Sequence, residues 1–283
     1  MTYSTDLSDR QFKYLEKYLP SSRKTKPCKY SKHQFINGIL YLLKTGCQWR
    51  LLPKEYPPFR TVHKYFRKLC TVGCMEKILF YVNTDVIQTN RTKRYRDNNT
   101  LRLIIDSKSI DSSESLLSKY SGFDGHKKVK GLKLFELVDC NNLCWRSIAL
   151  PANTSEIQGA KTIITRTFES RKYPITKQIL GDKAFNGNDF EKDIYRKYGI
   201  TVLGLEKRSN RKFNLPEDIQ RQEQKKQEKA RIIKPFRYKI EQNFAHLVKA
   251  RRLTRIWEVK AKSFETLVKL RHLVLALGKL DLV

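Results

Sequence analysis

The sequence predicts an α+β fold, an all-helical N-terminal domain followed by a mixed-sheet core, and three observations carry that prediction. Apolar residues recur at helical spacing as far as about residue 97. From Leu101 they change to short continuous runs bounded by turn residues. Between the two lies a polar, basic stretch, TNRTKRYRDNNT at 89–100, with the composition of a linker. The expected division is therefore 1–97 and 98–283.

Each element has its own warrant. Ser8 caps a first helix through Tyr18, with Phe12, Leu15 and Leu19 on one face and Pro20 ending it. Ser31 opens a second, with Phe35, Ile36, Ile39, Leu40 and Leu43 inward until Gly46. After the prolines at 53–58, TVHKYFRKLC and CMEKILFYVNTDVI supply two more helices. LRLIIDSKSI, GLKLFELVDC and LCWRSIALPA read as strands, the last two joined by a tight turn at Asn141-Asn142. A helix over 155–170, a strand ending at Asp182, a helix over 188–198 and the strand ITVLGL follow. The polar segment 206–235 reads as loop plus exposed helix, and a further helix runs from Pro235 through Arg252. Three antiparallel strands, then α, β, α, β, α, is the order of a ribonuclease-H-like core. The C-terminal SFETLVKLRHLVLALGKLDLV is interrupted by Lys269, Arg271 and His272, so it reads as an amphipathic helix over the core and not as a membrane span.

Composition narrows the partners. Hydrophobic residues at 40% are enough to build a core, while 58 Lys+Arg against 28 Asp+Glu leave a formal charge of +30. A surplus that large repels itself unless a polyanion is near, which points to nucleic acid. MTYSTDLSDRQF carries two aspartates and no apolar run, so a cytoplasmic protein without a signal peptide is expected. Cys28, Cys47, Cys70, Cys74, Cys140 and Cys144 lack zinc-ligand spacing, so reduced, mostly buried thiols are expected.

Three acidic residues carry the chemistry. Asp106 and Asp182 end apolar runs that read as buried strands, and Glu241 lies in a helix otherwise rich in Lys and Arg. Taken singly, a strand-end Asp is more often a turn or cap residue, and Glu241 has Arg237 four residues before it as an i,i+4 partner. Together, two strand-borne aspartates and a helix-borne glutamate can gather hard divalent cations against a phosphate. Without a cation, converging carboxylates repel and raise one another's pKa.

IIDSKSI followed by GFDGHKKVKGLKLFELVD, then LGDKAFNG, then Arg237-x3-Glu241 followed by ARRL, resemble the ordered motif blocks of bacterial insertion-sequence transposases of the four/five superfamily. The insertion-sequence-five type is the nearest, and TGCQWRLLPKEYPPFRTVHKYFRKL resembles the helical domain that precedes its catalytic core. The resemblance implies a DDE transposase in which Asp106, Asp182 and Glu241 hold two Mg²⁺, with Mn²⁺ as substitute. It would bind the inverted-repeat ends of its element, cleave, and join a 3′-hydroxyl to target DNA as a homodimer on double-stranded DNA. The alternatives are an inactive DNA-binding derivative and a nuclease of the same fold that never joins strands. Two positions depart from the family pattern. Its signature tyrosine is Lys234 here, and its basic residue is Val248, with Lys249 one place later and about 80° from Glu241 on an ideal helix.

For backbone phosphate contacts the first choices are Lys127, Lys128, Lys130 and Lys133 between the first two strands, and Arg237, Lys249, Arg251 and Arg252 on the Glu241 helix. Arg94 in the linker, with Arg91, Lys93 and Arg96, could follow a second stretch of duplex, and Arg50 beside Trp49 could belong to an end-reading unit. Trp49 is equally well a core residue, and His126 reads as a phosphate or loop contact before a proton-transfer group.

Overall fold

The computed structural model describes residues 3–20, 28–71, 73–91, 102–113, 116–169, 176–185, 187–204 and 216–280. Four helices come first: α1 (Asp9–Glu16), α2 (Lys32–Thr45), α3 (Phe59–Leu69) and α4 (Cys74–Arg91). Local chemistry sets their ends. Ser8 and Gln11 form a reciprocal capping box on α1, and Ser31 and Gln34 form another on α2, so two orphan backbone N–H groups find partners at each start. Gly46 stops α2 at φ 74°, a left-handed conformation that costs glycine little. α1 ends at Glu16, two residues short of the expected Tyr18, and α4 runs three residues into the stretch read as a linker. The rest of that stretch lies outside the described residues.

Six strands follow: β1 (Arg102–Asp111), β2 (Gly122–Asp124), β3 (Val129–Asp139), β4 (Cys144–Pro151), β5 (Gln178–Gly181) and β6 (Thr201–Gly204). They form one mixed sheet in the order β2-β3-β1-β5-β6, with β4 also paired to β3. β1 is where the sheet changes character, antiparallel to β3 on one side and parallel to β5 on the other. The β3–β4 turn has Asn142 at φ 60°, and Asp139 Oδ1 accepts the N–H groups of Asn141 and Leu143. The three-residue β2 was not foreseen in the GFDGHKK segment.

Helices α5 (Glu156–Phe168), α6 (Asn188–Tyr198), α7 (Pro216–Val248) and α8 (Ala261–Leu277) complete the order. α5 packs on one face, where Gly159 admits the Phe135 ring so closely that an added Cβ would stand 2.0 Å from it. α7 and α8 cover the other face, reached by Glu136 one residue further along β3. α7 corrects the expectation of a helix over 235–252: it starts nineteen residues earlier and stops at Val248 (235 against 216). Its early half is too polar to show a core-facing stripe. Pro235 sits inside it without ending it.

One continuous hydrophobic cluster runs from Leu7 to Leu277 through both the helical part and the sheet. α4 is tied to the core by Asn83, which donates to the Cys144 carbonyl at 2.8 Å, and by Glu76, 2.5 Å from Lys269 on α8. The cysteines are free thiols: two are buried, three half-buried and Cys28 is exposed.

Candidate active site

β1 and β5 bring the two aspartates together. Ile104 pairs with Leu180 in parallel register, and two residues further along each chain come Asp106 and Asp182. Residues that far past a pair emerge on the same side of neighbouring strands. They line one cleft with Ile104, Ile105, Gly181, Ile233, Arg237 and Ile240. α7 forms the far wall because Ile233, Ile240, Phe244 and Leu247 are buried along one stripe of it. That stripe holds Arg237 over the aspartates and leaves Glu241 one turn further on.

Arg237 connects two of the three acids. Its Nη1 stands 3.5 Å from Asp182 Oδ1 and its Nε 3.4 Å from Glu241 Oε1. The i,i+4 pair expected from sequence is therefore present, and the same guanidinium also reaches Asp182. Asp106 Oδ1 accepts from the Ser107 N–H at 2.8 Å, and Asp182 Oδ1 from the Lys183 N–H at 2.6 Å. Burial pushes the Asp106 carboxyl up to about 6; Glu156 and Asp182 add to the rise, while the Ser107 N–H and Arg237 oppose it. An all-oxygen donor set of three carboxylates against one guanidinium fits a hard divalent cation.

The three acids do not form a closed cage. Among the described residues, the one group of three metal-ligand types with atoms within 4.8 Å of one another is Glu136, Cys144 and His272, all buried in the core. Asp106, Asp182 and Glu241 stand wider apart than that, and the Glu241 side chain is 60% exposed. Sequence spacing gave no sign of the buried group, whose members meet from β3, β4 and α8.

The basic residues divide by burial. Lys127, Lys128, Lys130, Lys249, Arg251 and Arg50 are exposed, and Arg237 is half-buried at the site. The reading of Lys133 and Arg252 as phosphate contacts is corrected. Lys133 is 7% exposed, donates to the Thr154 carbonyl at 2.9 Å and lies 3.3 Å from Glu156. Arg252 is 6% exposed, 2.9 Å from Glu258, and donates to the Cys47 carbonyl. Arg251 and Arg252 also leave the Glu241 helix, lying in a 3-10 turn past its end. The hairpin lysines lie far from the acids: Lys130 is six residues along β3 from Glu136, the partner of Asp106, roughly 20 Å away. Arg94, Lys93 and Arg96 lie outside the described residues. Trp49 packs against His63 and Phe66, its core alternative, and His126 is exposed on the hairpin.

A helical segment leading into a mixed sheet, with Asp106 beside Asp182 at the antiparallel-to-parallel change and α7 across the cleft from them, gives a ribonuclease-H-like core. The chain belongs to the Transposase DDE domain family, which matches residues 98–277, and the transposase of IS4/5 family matches residues 7–79. It is therefore a transposase by family, an enzyme class that depends on divalent metal. A solved structure similar to it is the Mos1 transposase paired-end complex with left transposon end, 10% identical over 83% of this chain and 79% of that one, at a TM-score of 0.25. No curated protein matches the chain. Among the described residues, no helix is long and apolar enough to cross a membrane.

Proposed function

We propose that this protein binds the inverted-repeat ends of an insertion sequence, cleaves the DNA there and joins the freed 3′-hydroxyl to target DNA. The observation that carries the reading is the register of β1 and β5, which sets Asp106 beside Asp182 under the helix that bears Glu241. These three residues would hold two Mg²⁺, or Mn²⁺ in their place, which when bound supply Lewis acidity to the attacking and leaving oxygens. The chain's own contribution is to orient the carboxylates. Pairing with Glu136 on β3 fixes Asp106, the end of β5 positions Asp182 just beyond it, and Arg237 links Asp182 to Glu241. With cations bound, Arg237 is free to contact a phosphate.

Lys127, Lys128, Lys130, Lys249, Arg251 and Arg50 are the exposed cations proposed for backbone contacts, and Arg94 is retained from the sequence. Residues 1–97 would supply end recognition and assembly, and 98–283 the chemistry. Pairing two ends needs two active sites, so the working form on DNA is a homodimer, in the cytoplasm of a bacterium.

A strand-transfer assay on oligonucleotides carrying the element's own ends tests this reading, with Mg²⁺ and with EDTA. Metal-dependent joining lost in Asp106→Asn, Asp182→Asn and Glu241→Gln establishes the activity and the site together. Cleavage without joining identifies a nuclease. End binding without chemistry identifies an inactive derivative, with Val248→Lys the first reversion, since Val248 is exposed at the end of α7 where the family pattern has a basic residue.

A further inference from the structure

We propose that Glu136 and Asn243 form a buried pin that sets the register of the Glu241-bearing helix against the Asp106-bearing strand. The proposal rests on the functional reading of the three acids and adds two positioning residues to it. Glu136 pairs directly with Asp106 across β1 and β3, so the two side chains leave the same face of the sheet. Unlike Asp106, Glu136 is wholly buried. Its Oε2 accepts from Asn243 Nδ2 at 2.8 Å, and its Oε1 lies 2.7 Å from His272 Nε2. Asn243, also wholly buried, sits on α7 two residues after Glu241.

The rest of the α7 seam near the site is apolar: Ile233, Ile240, Phe244 and Leu247. Apolar contacts tolerate small slides and rolls, because one methyl group can replace another. A hydrogen bond between two fully buried polar groups does not, since a slip leaves both desolvated and unpaired. One residue of slippage would turn α7 by about 100° and carry Glu241 away from Asp182. Asn243 points about 200° from Glu241 around the helix, so pinning it to β3 directs Glu241 outward to the cleft edge. His272, on α8, holds the Glu136 carboxylate from the other side.

The same neighbourhood contains Cys144, so a metal is the competing reading. Both Glu136 oxygens already have partners, and burial together with Glu136 keeps the Cys144 thiol protonated, well above its usual range. Asn243 Oδ1 has no partner, which allows its amide to turn over. Glu136→Gln can therefore keep both bonds: the Gln amide donates to Asn243 Oδ1, and its carbonyl faces His272.

Mn²⁺ affinity of the full-length protein on end DNA, read by electron paramagnetic resonance of free Mn²⁺, tests the pin without relying on turnover. Glu241→Gln serves as the reference loss. Asn243→Leu, and the apolar pair Glu136→Leu with Asn243→Leu, should weaken Mn²⁺ binding by roughly tenfold or more, the usual effect of losing a residue that orients a ligand. Glu136→Gln should stay within about threefold of the unmutated protein, because it preserves the hydrogen bonds. The apolar pair should also lower the melting temperature, since it leaves the buried His272 Nε2 without its carboxylate partner, so its Mn²⁺ affinity is read on the folded protein. Asn243→Leu or the folded apolar pair with unchanged Mn²⁺ affinity would overturn the pin while leaving the three-acid site standing. Mn²⁺ binding indifferent to Glu241→Gln would overturn the site and the pin with it. Zinc at one per chain in the purified protein, lost on Cys144→Ser, would overturn the pin by making this cluster a metal site.

Discussion

Asp106→Asn should make the protein more stable at neutral pH while abolishing its chemistry. Burial holds the Asp106 carboxyl at about 6 against an ordinary 3.8, so the folded state binds its proton more tightly than the unfolded chain does. Between those two values the folded state carries more protons, and stability falls as pH rises through the window. The gap is worth about 3 kcal/mol once pH is well above 6, and about 1 kcal/mol at pH 4.5. Asn is isosteric and neutral, and its side-chain oxygen can still accept from the Ser107 N–H, so it removes the penalty and keeps the contact. Urea unfolding in EDTA should therefore show Asp106→Asn more stable by about 2–3 kcal/mol at pH 7.5 and by about 1 kcal/mol at pH 4.5. Saturating Mg²⁺ should narrow the difference at pH 7.5 by stabilising only the unmutated protein. A variant equal to or less stable than the parent at pH 7.5, or a difference that does not shrink toward pH 4.5, would refute the argument that an uncompensated carboxylate sits there.

Further predictions follow from the same geometry. The Mg²⁺ concentration for half-maximal strand transfer should rise about tenfold per unit as pH falls below about 6, because the cation must displace the Asp106 proton; a flat response down to pH 5 would count against Asp106 as a ligand. Arg252→Ala should cost about 3–5 kcal/mol of stability by orphaning buried Glu258, with end affinity per folded molecule unchanged; calorimetry and a gel-shift titration read the two effects separately. Lys130→Ala should leave the melting temperature alone and lower the salt slope of end binding by about one. Gly159→Ala should cost about 1–3 kcal/mol, because its methyl would fall on the Phe135 ring across the α5–β3 contact.

What the sequence disclosed follows the range over which the governing interactions act. Ser8, Ser31 and Gly46 end helices through contacts three or four residues away, so their roles were readable. Asp106 and Asp182 stood out because a carboxylate after an apolar run has few bland explanations. The length of α7 was hidden because the residues before Ile232 show no apolar stripe. Arg252 looked like its exposed neighbour Arg251, since nothing local distinguishes a cation that will meet Glu258 and the Cys47 carbonyl in the fold. Glu136 read as one polar residue in a strand, and its partners lie 107 and 136 residues away.

The single core has a consequence for how such a chain can diversify. α8 is shared property: Lys269 on it grips Glu76 of α4, and His272, one turn later, grips Glu136 beneath the acids. The helices that come first in the chain and the strands that carry the aspartates are fastened to opposite ends of one short stretch at its far end. Exchanging the first 97 residues with those of a relative would give a folded hybrid only if the α8 face that receives α4 were exchanged too. New surface chemistry in this architecture is therefore more readily built on the exposed sides of the early helical part, where Arg50 and His63 sit, than by replacing it as a cassette.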